Sequence, residues 1–334
     1  MTCISRDMEY TKLGTSDLSV SRLVLGAVQF GWTVEKAEVR KIIFAALDAG
    51  INMIDTAHIY GDGLSEEYIG SVSPSIRNRL VIATKGGHPH TGGPTREKLL
   101  GELETSLRRL KTDHIDLYQV HFGIEQGVEV EEIVETLTDM QSSGKVRYSG
   151  VSNFYAWQLC RANDLCVQMG RTAPVSIQSH YSMLERDVED ELLPYCEHSG
   201  MALLPFFPLA GGLLAGRYRR GEDPAPDTRA GQLHWARKFL SYYGTERNFD
   251  LIDRLKLFAT DRNHSLAELA IAWLLTRPSV CSVIAGASRP EHVEADSRAC
   301  DWRLSGEEQE EIGAILGDRD KTLRYPRRLW WEQQ

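Results

Sequence analysis

The six cysteines (Cys3, Cys160, Cys166, Cys196, Cys281 and Cys300) are scattered and contain no Cys-x-x-Cys pair. That spacing argues against a disulfide framework and a cysteine-built zinc site, and predicts reduced thiols in a cytoplasmic chain. No apolar run approaches the ~18 residues of a membrane span. The opening MTCISRDMEY lacks the basic and apolar regions of a secretory signal. Positive charge is not in excess either: 38 Lys and Arg stand against 47 Asp and Glu, a net charge of −9. A nucleic acid or an anionic membrane would be repelled by that balance, although a local basic patch could still hold a phosphate. Missing too is a Gly-x-Gly-x-x-Gly turn after the first apolar run, where Gly26-Ala-Val-Gln-Phe-Gly31 stands instead. The doubly wound dinucleotide fold thereby loses its main signal.

What is present is an ordinary globular composition, 42% apolar and 25% charged over 334 residues, enough for one large α/β barrel or two domains. KLGTSDLSVSRL predicts a turn-rich hairpin at about 9–24. Strand and helix signals then alternate. The strand-like runs are LVLG, INMID, LVIATK, IDLYQV, VRYSGVS, PVSIQ, MALLPFF and CSVIAG. Helical spacing of apolar residues falls between them at 35–49, 65–70, 95–110, 130–142, 155–169, 186–198, 249–260 and 266–276. Gly50, Gly144 and Gly200 sit where a left-handed residue would end a helix before the next strand. Eight βα units close most naturally as a (β/α)8 barrel, one domain over 1–334. The irregular stretch at 217–248 reads as a long functional loop. The basic, aromatic tail at 318–334 is either a loose end or a flap over the barrel mouth.

Three of the strand-like runs deliver a titratable residue at their C-terminal ends: Asp55, Lys85 and His121, with Tyr60 just beyond the first. A barrel carries its active site on that rim. Singly, each residue has an ordinary explanation, such as a turn cap, a solvated strand end, rim packing or a satisfied core histidine. Together, a phenol, an ammonium, a carboxylate and an imidazole make a set that can protonate a carbonyl oxygen.

Asp55-Thr-Ala-His-Ile-Tyr60-Gly61, with Lys85 and His121, resembles the aldo-keto reductase superfamily. LGTSDLSVSRLVLGAVQFG, GKVRYSGVSNF, PVSIQSHYSMLERDVEDELLPYCEHSGMALLPFFPLAGGLLAGRY and SVIAGASRPEHVEADSRA extend the likeness from about residue 10 to 298. It is greatest to the branch with bacterial general reductases and potassium-channel β-subunits. The resemblance implies Tyr60 as general acid, Lys85 lowering its pKa, Asp55 pairing with Lys85, and His121 orienting the substrate oxygen.

The same resemblance implies a nicotinamide nucleotide as hydride donor. Ser152, Asn153 and Gln178 would hold its carboxamide, and Phe206 would stack on its ring. Leu209, Gly211 and Arg217 would wrap the pyrophosphate. Gly286, Ser288, Arg289, His292 and Asp296 would take the adenosine end, with a helix N-terminus beside Ser288 and Arg289 as the 2′-phosphate cradle. His292 stands where the family often has Arg or Gln, and Ala295-Asp296 where it often has Glu-Asn. NADP(H) is preferred, with NAD(H) the alternative. Trp32, His88, Phe122, Tyr155 and Phe207 are the substrate-facing candidates, joined by Trp235, Trp330 and Trp331; His88-Pro-His90 is too sparse for a metal. The expected activity is reduction of an aldehyde, ketone or sugar-type carbonyl. Two alternatives stay open: a sugar or alcohol dehydrogenase running oxidatively on NAD(P)+, and a non-enzymatic NADPH-binding regulatory subunit. A small carbonyl or alcohol is the expected partner, with homo-oligomerisation left open.

Overall fold

A computed structural model describes residues 8–123 and 127–318. Two short strands, β1 (Tyr10–Lys12) and β2 (Ser19–Ser21), pair antiparallel as a hairpin. Eight parallel strands follow: β3 (Leu23–Gly26), β4 (Met53–Asp55), β5 (Val81–Gly86), β6 (Ile115–Val120), β7 (Val146–Ser152), β8 (Ser176–His180), β9 (Ala202–Phe206) and β10 (Val283–Gly286). Their order is β10-β3-β4-β5-β6-β7-β8-β9. A bridge between Leu203 and Val280, with the Leu203 N–H donating to Ser279 O at 2.8 Å, joins the two outer strands. The result is the expected (β/α)8 barrel with its N-terminal hairpin.

Helices surround the sheet: α1 (Lys36–Asp48), α2 (Leu64–Gly70), α3 (Arg96–Leu110), α4 (Val130–Ser142), α5 (Ala156–Gln168) and α6 (Leu192–Ser199). After β9 come α7 (Arg229–Gln232), α8 (His234–Tyr243), α9 (Glu246–Asp261) and α10 (Leu266–Leu274), and after β10 come α11 (Pro290–Ser297) and α12 (Gly306–Leu316). Local chemistry starts them. Thr95 caps α3 by accepting the Lys98 N–H, and Ser265 with Glu268 forms a reciprocal capping box at α10. The strands are almost wholly buried, as parallel strands covered on both sides must be.

The expected loop at 217–248 is overturned in its second half, where α7 and α8 form and α9 begins. Pro224, Pro226 and Gly231 hid the amphipathic spacing of Ala236, Phe239 and Tyr243, which are all buried. Helix α12, with its Ser305–Glu308 capping box, is a further element that apolar spacing did not predict. The tail with Trp330 and Trp331 lies outside the described residues.

Two layers fill the barrel. The lower is apolar: Val24, Met53, Ala83, Leu117, Ala202 and Leu204 pack with Leu13, Leu18 and Val20 of the hairpin, which plugs the N-terminal mouth. Above it, period-2 alternation carries polar side chains inward: Lys85 after Ala83, Gln119 and His121 after Leu117. Parallel registers (Gly26 with Asp55, Lys85 with Gln119, Ser152 with Gln178, Gly286 with Gly26) bring these ends to one rim. The opposite end depends on Gly14. Its φ is +55°, and a Cβ there would collide with the Val175 carbonyl oxygen. Gly14→Ala is therefore expected to destabilise the fold by more than ~1 kcal/mol. A denaturant midpoint equal to that of the parent protein would contradict the plug.

Candidate active site

Lys85 is fully buried at the end of β5, and its Nζ donates to Asp55 Oδ2 at 2.6 Å and to Thr56 O at 2.8 Å. A third contact, at 3.4 Å, reaches Tyr60 Oη, and the ammonium lies 4.9 Å from the Tyr60 ring centroid. Asp55 Oδ1 accepts from Gln178 Nε2 at 2.8 Å and Gln119 Nε2 at 3.1 Å. The carboxylate thus joins groups from β4, β5, β6 and β8.

Burial alone would strip Lys85 of its proton, but Asp55 and Tyr60 outweigh it and hold the ammonium above its ordinary range. For Tyr60, burial is the largest influence and raises the phenol; Lys85 pulls it down, and Asp55 pushes it up again. The net direction is upward, which differs from the lowered phenol expected from Lys85 alone. A neutral phenol beside a charged ammonium is a proton donor at neutral pH. His121 is held well below the usual imidazole range by burial first, then by His88 and Lys85, so its ring is neutral.

Loops on either side are pinned from behind. Arg109 Nη1 donates to His58 O at 3.0 Å and to Glu66 Oε2 at 3.2 Å, holding the turn that leads to Tyr60. Gly61 follows with φ +57°, and a Cβ there would come within 2.7 Å of Phe30 O. On the next loop, buried Glu102 accepts the Gly87 N–H at 2.7 Å and fixes the approach to His88. The His88 ring stacks on His90 at 5.1 Å and meets His121 edge-on at 5.0 Å. Its Nδ1 accepts the His90 N–H at 3.2 Å, and burial pushes its pKa down to about 3.

A cavity of about 570 Å³ runs from Tyr60 and His121 to the start of α11. Its wall includes all twelve predicted cofactor positions: Ser152, Asn153, Gln178, Phe206, Leu209, Gly211, Arg217, Gly286, Ser288, Arg289, His292 and Asp296. Trp32, His88, Phe122, Phe207 and Trp235 line it as well. Tyr155 does not: it precedes α5, its N–H bonds Gln158 Oε1 at 2.9 Å, and its side of the chain is exposed. It stands where the chain leaves the rim and enters α5.

Two contributors escaped the sequence reading. Gln119 could have been found, since it lies two residues before His121 and so on the same inward face of β6. Arg229 offered no signal inside an irregular stretch. Its guanidinium lies 5.8 Å from the ring centroids of both Phe207 and Trp235, and burial pushes its pKa down to about 10. Arg217, Arg229 and Arg289 all face the cavity, and none forms a salt bridge among the described residues. In a chain of net charge −9, three such guanidinium groups fit an anionic, phosphate-bearing ligand. The N-terminus of α11, which no side chain caps, points its positive dipole end toward the same residues. The cavity therefore fits an elongated dinucleotide, with polar amides near Tyr60 and cations farther along.

The Asp55–Lys85 pair generates a stability prediction. Asp55→Asn leaves a buried ammonium without its countercharge, a loss on the order of 3–5 kcal/mol. Replacing both residues by Leu and Met should cost less than that single change in urea unfolding. A double variant weaker than the single one would show that the pair stabilises through more than mutual neutralisation.

The comparisons agree with the geometry. The model of the aldo/keto reductase family matches residues 22–316. The chain is 33% identical to the aldo-keto reductase YhdN of Bacillus subtilis, over 92% of this chain and 94% of that protein. It is 32% identical to a probable voltage-gated potassium channel subunit beta of Oryza sativa, over 94% and 98%. It is 30% identical to the versiconal hemiacetal acetate reductase of Aspergillus parasiticus, over 90% and 95%. No helix among the described residues is long and apolar enough to cross a membrane, and they contain no metal-holding cluster of His, Cys, Asp or Glu. The chain belongs to the aldo/keto reductase family.

Proposed function

We propose that the protein is an NADPH-dependent oxidoreductase that reduces an aldehyde or ketone to the alcohol, with Tyr60 as proton donor. The observation that carries this reading is one continuous cavity whose floor holds a protonated phenol against a buried ammonium and whose far end collects unpaired guanidinium groups. A nicotinamide nucleotide bound there supplies a hydride to the carbonyl carbon. Tyr60 gives its proton to the carbonyl oxygen, and the phenolate left behind is stabilised by Lys85. Asp55 keeps Lys85 charged and in place. The neutral His121 ring, 5.9 Å from the Tyr60 ring and nearly perpendicular to it, offers an N–H to the same oxygen. The pair of donors stabilises negative charge as it develops there.

Residues toward the nucleotide divide similarly. Gln178 spends its amide N–H groups on Asp55 and Gln119, leaving its oxygen as acceptor for a carboxamide. Asn153 donates to His121 O at 3.1 Å, so the same loop that would touch the nicotinamide also braces the imidazole. Arg229 suits the pyrophosphate, and Arg217, which touches His292 beside Ser288, joins Ser288 and Arg289 around a 2′-phosphate. The aromatic wall of Trp32, Phe122, Phe207 and Trp235 suits an uncharged carbonyl compound and excludes water around the reacting atoms.

Tyr60→Phe is expected to lower carbonyl reduction by roughly 10²–10⁴-fold. NADPH binding, followed by quenching of protein fluorescence, should stay within a few-fold of the parent value. Near-normal turnover by that variant would remove Tyr60 from the mechanism. Tight NADPH binding with no turnover on a carbonyl panel, in either direction, would replace the enzymatic reading by that of a nucleotide-binding regulatory subunit.

A further inference from the structure

At the α11 end of the cavity His292 bridges two other lining residues. Its Nε2 lies 3.1 Å from Arg217 Nη2, while its Nδ1 lies 3.2 Å from Ser288 Oγ and 3.4 Å from Ser288 N. Arg217 and the Ser288 N–H can only donate, and a neutral imidazole has one accepting nitrogen. The 3.1 Å contact to Arg217 is shorter than the 3.4 Å contact to the Ser288 N–H; with Nε2 accepting from Arg217, the ring proton sits on Nδ1 and goes to the Ser288 hydroxyl, and the Ser288 N–H contact is given up. A second proton would set an N–H against an N–H and a cation against a guanidinium.

The surroundings act in the same direction. Burial, then Arg217 and Arg289, lower the His292 pKa, and only Glu291 opposes them. Asp296, one turn along α11 and also on the cavity wall, has its carboxyl pushed up to about 7 by burial first, with Arg217 and Arg298 pulling it down and Glu268 pushing it up. At neutral pH it gives the ring only part of a negative charge. Without a ligand the ring is therefore neutral. An incoming phosphate dianion reverses that balance: Arg217 turns its N–H groups to the phosphate oxygens, and Nε2 is released to bind a proton from solvent and donate as well.

We propose that His292 couples recognition of the 2′-phosphate to uptake of one proton, so that discrimination for NADPH over NADH weakens as pH rises. The inference rests on the cofactor reading above. The sign follows from linkage. A ring whose pKa is higher in the complex than in the free protein strengthens binding at low pH. Between the two pKa values that gain is lost, by at most tenfold per pH unit. The phosphate's own second ionisation, near ~6, works in the opposite sense because its dianion binds better. His292→Gln keeps a polar side chain and the phosphate's titration but cannot take up a proton.

Dissociation constants for NADPH and NADH, measured from pH 6.5 to 8.5 by fluorescence quenching on parent and His292→Gln proteins, separate these effects. In the parent the NADH/NADPH ratio of dissociation constants should fall at least ~5-fold across that range. In the variant the fall should be clearly smaller. Asp296 titrates in the same range and repels a 2′-phosphate as it ionises, but it is present in parent and variant alike, so the difference between the two profiles reads His292. Calorimetry of NADPH binding in two buffers of different ionisation enthalpy should show proton uptake by the parent and little by the variant. Parallel profiles, with NADPH still the tighter ligand, would overturn the role of His292 and leave the cofactor reading intact. Equal affinity for NADPH and NADH at every pH would remove the NADP preference and this inference with it.

Discussion

A lysine with no solvent exposure has to be compensated, and the upper half of this barrel is organised around doing so. Lys85 carries a full charge into the sheet interior, where an unpaired ammonium would cost several kcal/mol and would shed its proton. One carboxylate oxygen of Asp55 and the Thr56 carbonyl take two of its three N–H groups, and the Tyr60 hydroxyl faces the third. The second carboxylate oxygen then needs donors, which Gln119 and Gln178 supply. Each demand recruits another strand, so the register of the sheet and the geometry of the proton donor are one problem. A slip of one residue on β5 would turn Lys85 toward the helices and put a neighbour of opposite facing in its place. Buried pairs contribute little net stability in general. What this one contributes is specificity of arrangement: a single geometry in which the phenol and the ammonium meet.

The same accounting, applied to charge, separates the cavity into two districts. At the floor the Lys85 charge is matched by Asp55, which leaves a neutral phenol and a neutral imidazole facing the cavity. At the far end Arg217, Arg229 and Arg289 face the cavity with no salt bridge among the described residues, although the chain as a whole is acidic. A ligand that is apolar and amide-like at one end and anionic at the other matches that division. A small carbonyl compound alone would leave the cationic half without purpose.

Most of the barrel was legible because its signals are local. Apolar runs of strand length, glycines past helix ends and caps such as Thr95 need no knowledge of distant residues. The reacting groups were legible because strand ends collect on one rim, so spacing along the chain maps onto proximity. Properties set by distant packing were not. Arg229 gains its character from Phe207 and Trp235, neither of which marks it in sequence. The upward shift of Tyr60 comes chiefly from burial among its neighbours, which the adjacent Lys85 does not reveal. Tyr155 shows how far a strand end predicts the rim: it follows β7 closely in sequence, yet it is exposed and stands outside the cavity wall, where the chain enters α5.

Strain is concentrated in the segment that joins the two districts. Phe207 has φ +53° and Ala210 φ +46°, followed by Gly211 at +67° and Gly212 at +115°. Glycine adopts such angles freely; an aromatic residue does so at a cost of order 1–3 kcal/mol. Packing offsets it, since the Phe207 ring meets Phe206, Phe239 and His180 and stacks on Trp235. Those contacts draw α8 and the Arg229 turn onto the end of β9. A relaxed backbone at Phe207 would release that ring and let Arg229, held over it, move away from the cavity. The strained residue therefore ties the cationic wall to the strand whose end, Phe206, lines the same cavity as Tyr60 and His121. The two halves of the site are kept in register by backbone that only tight packing allows.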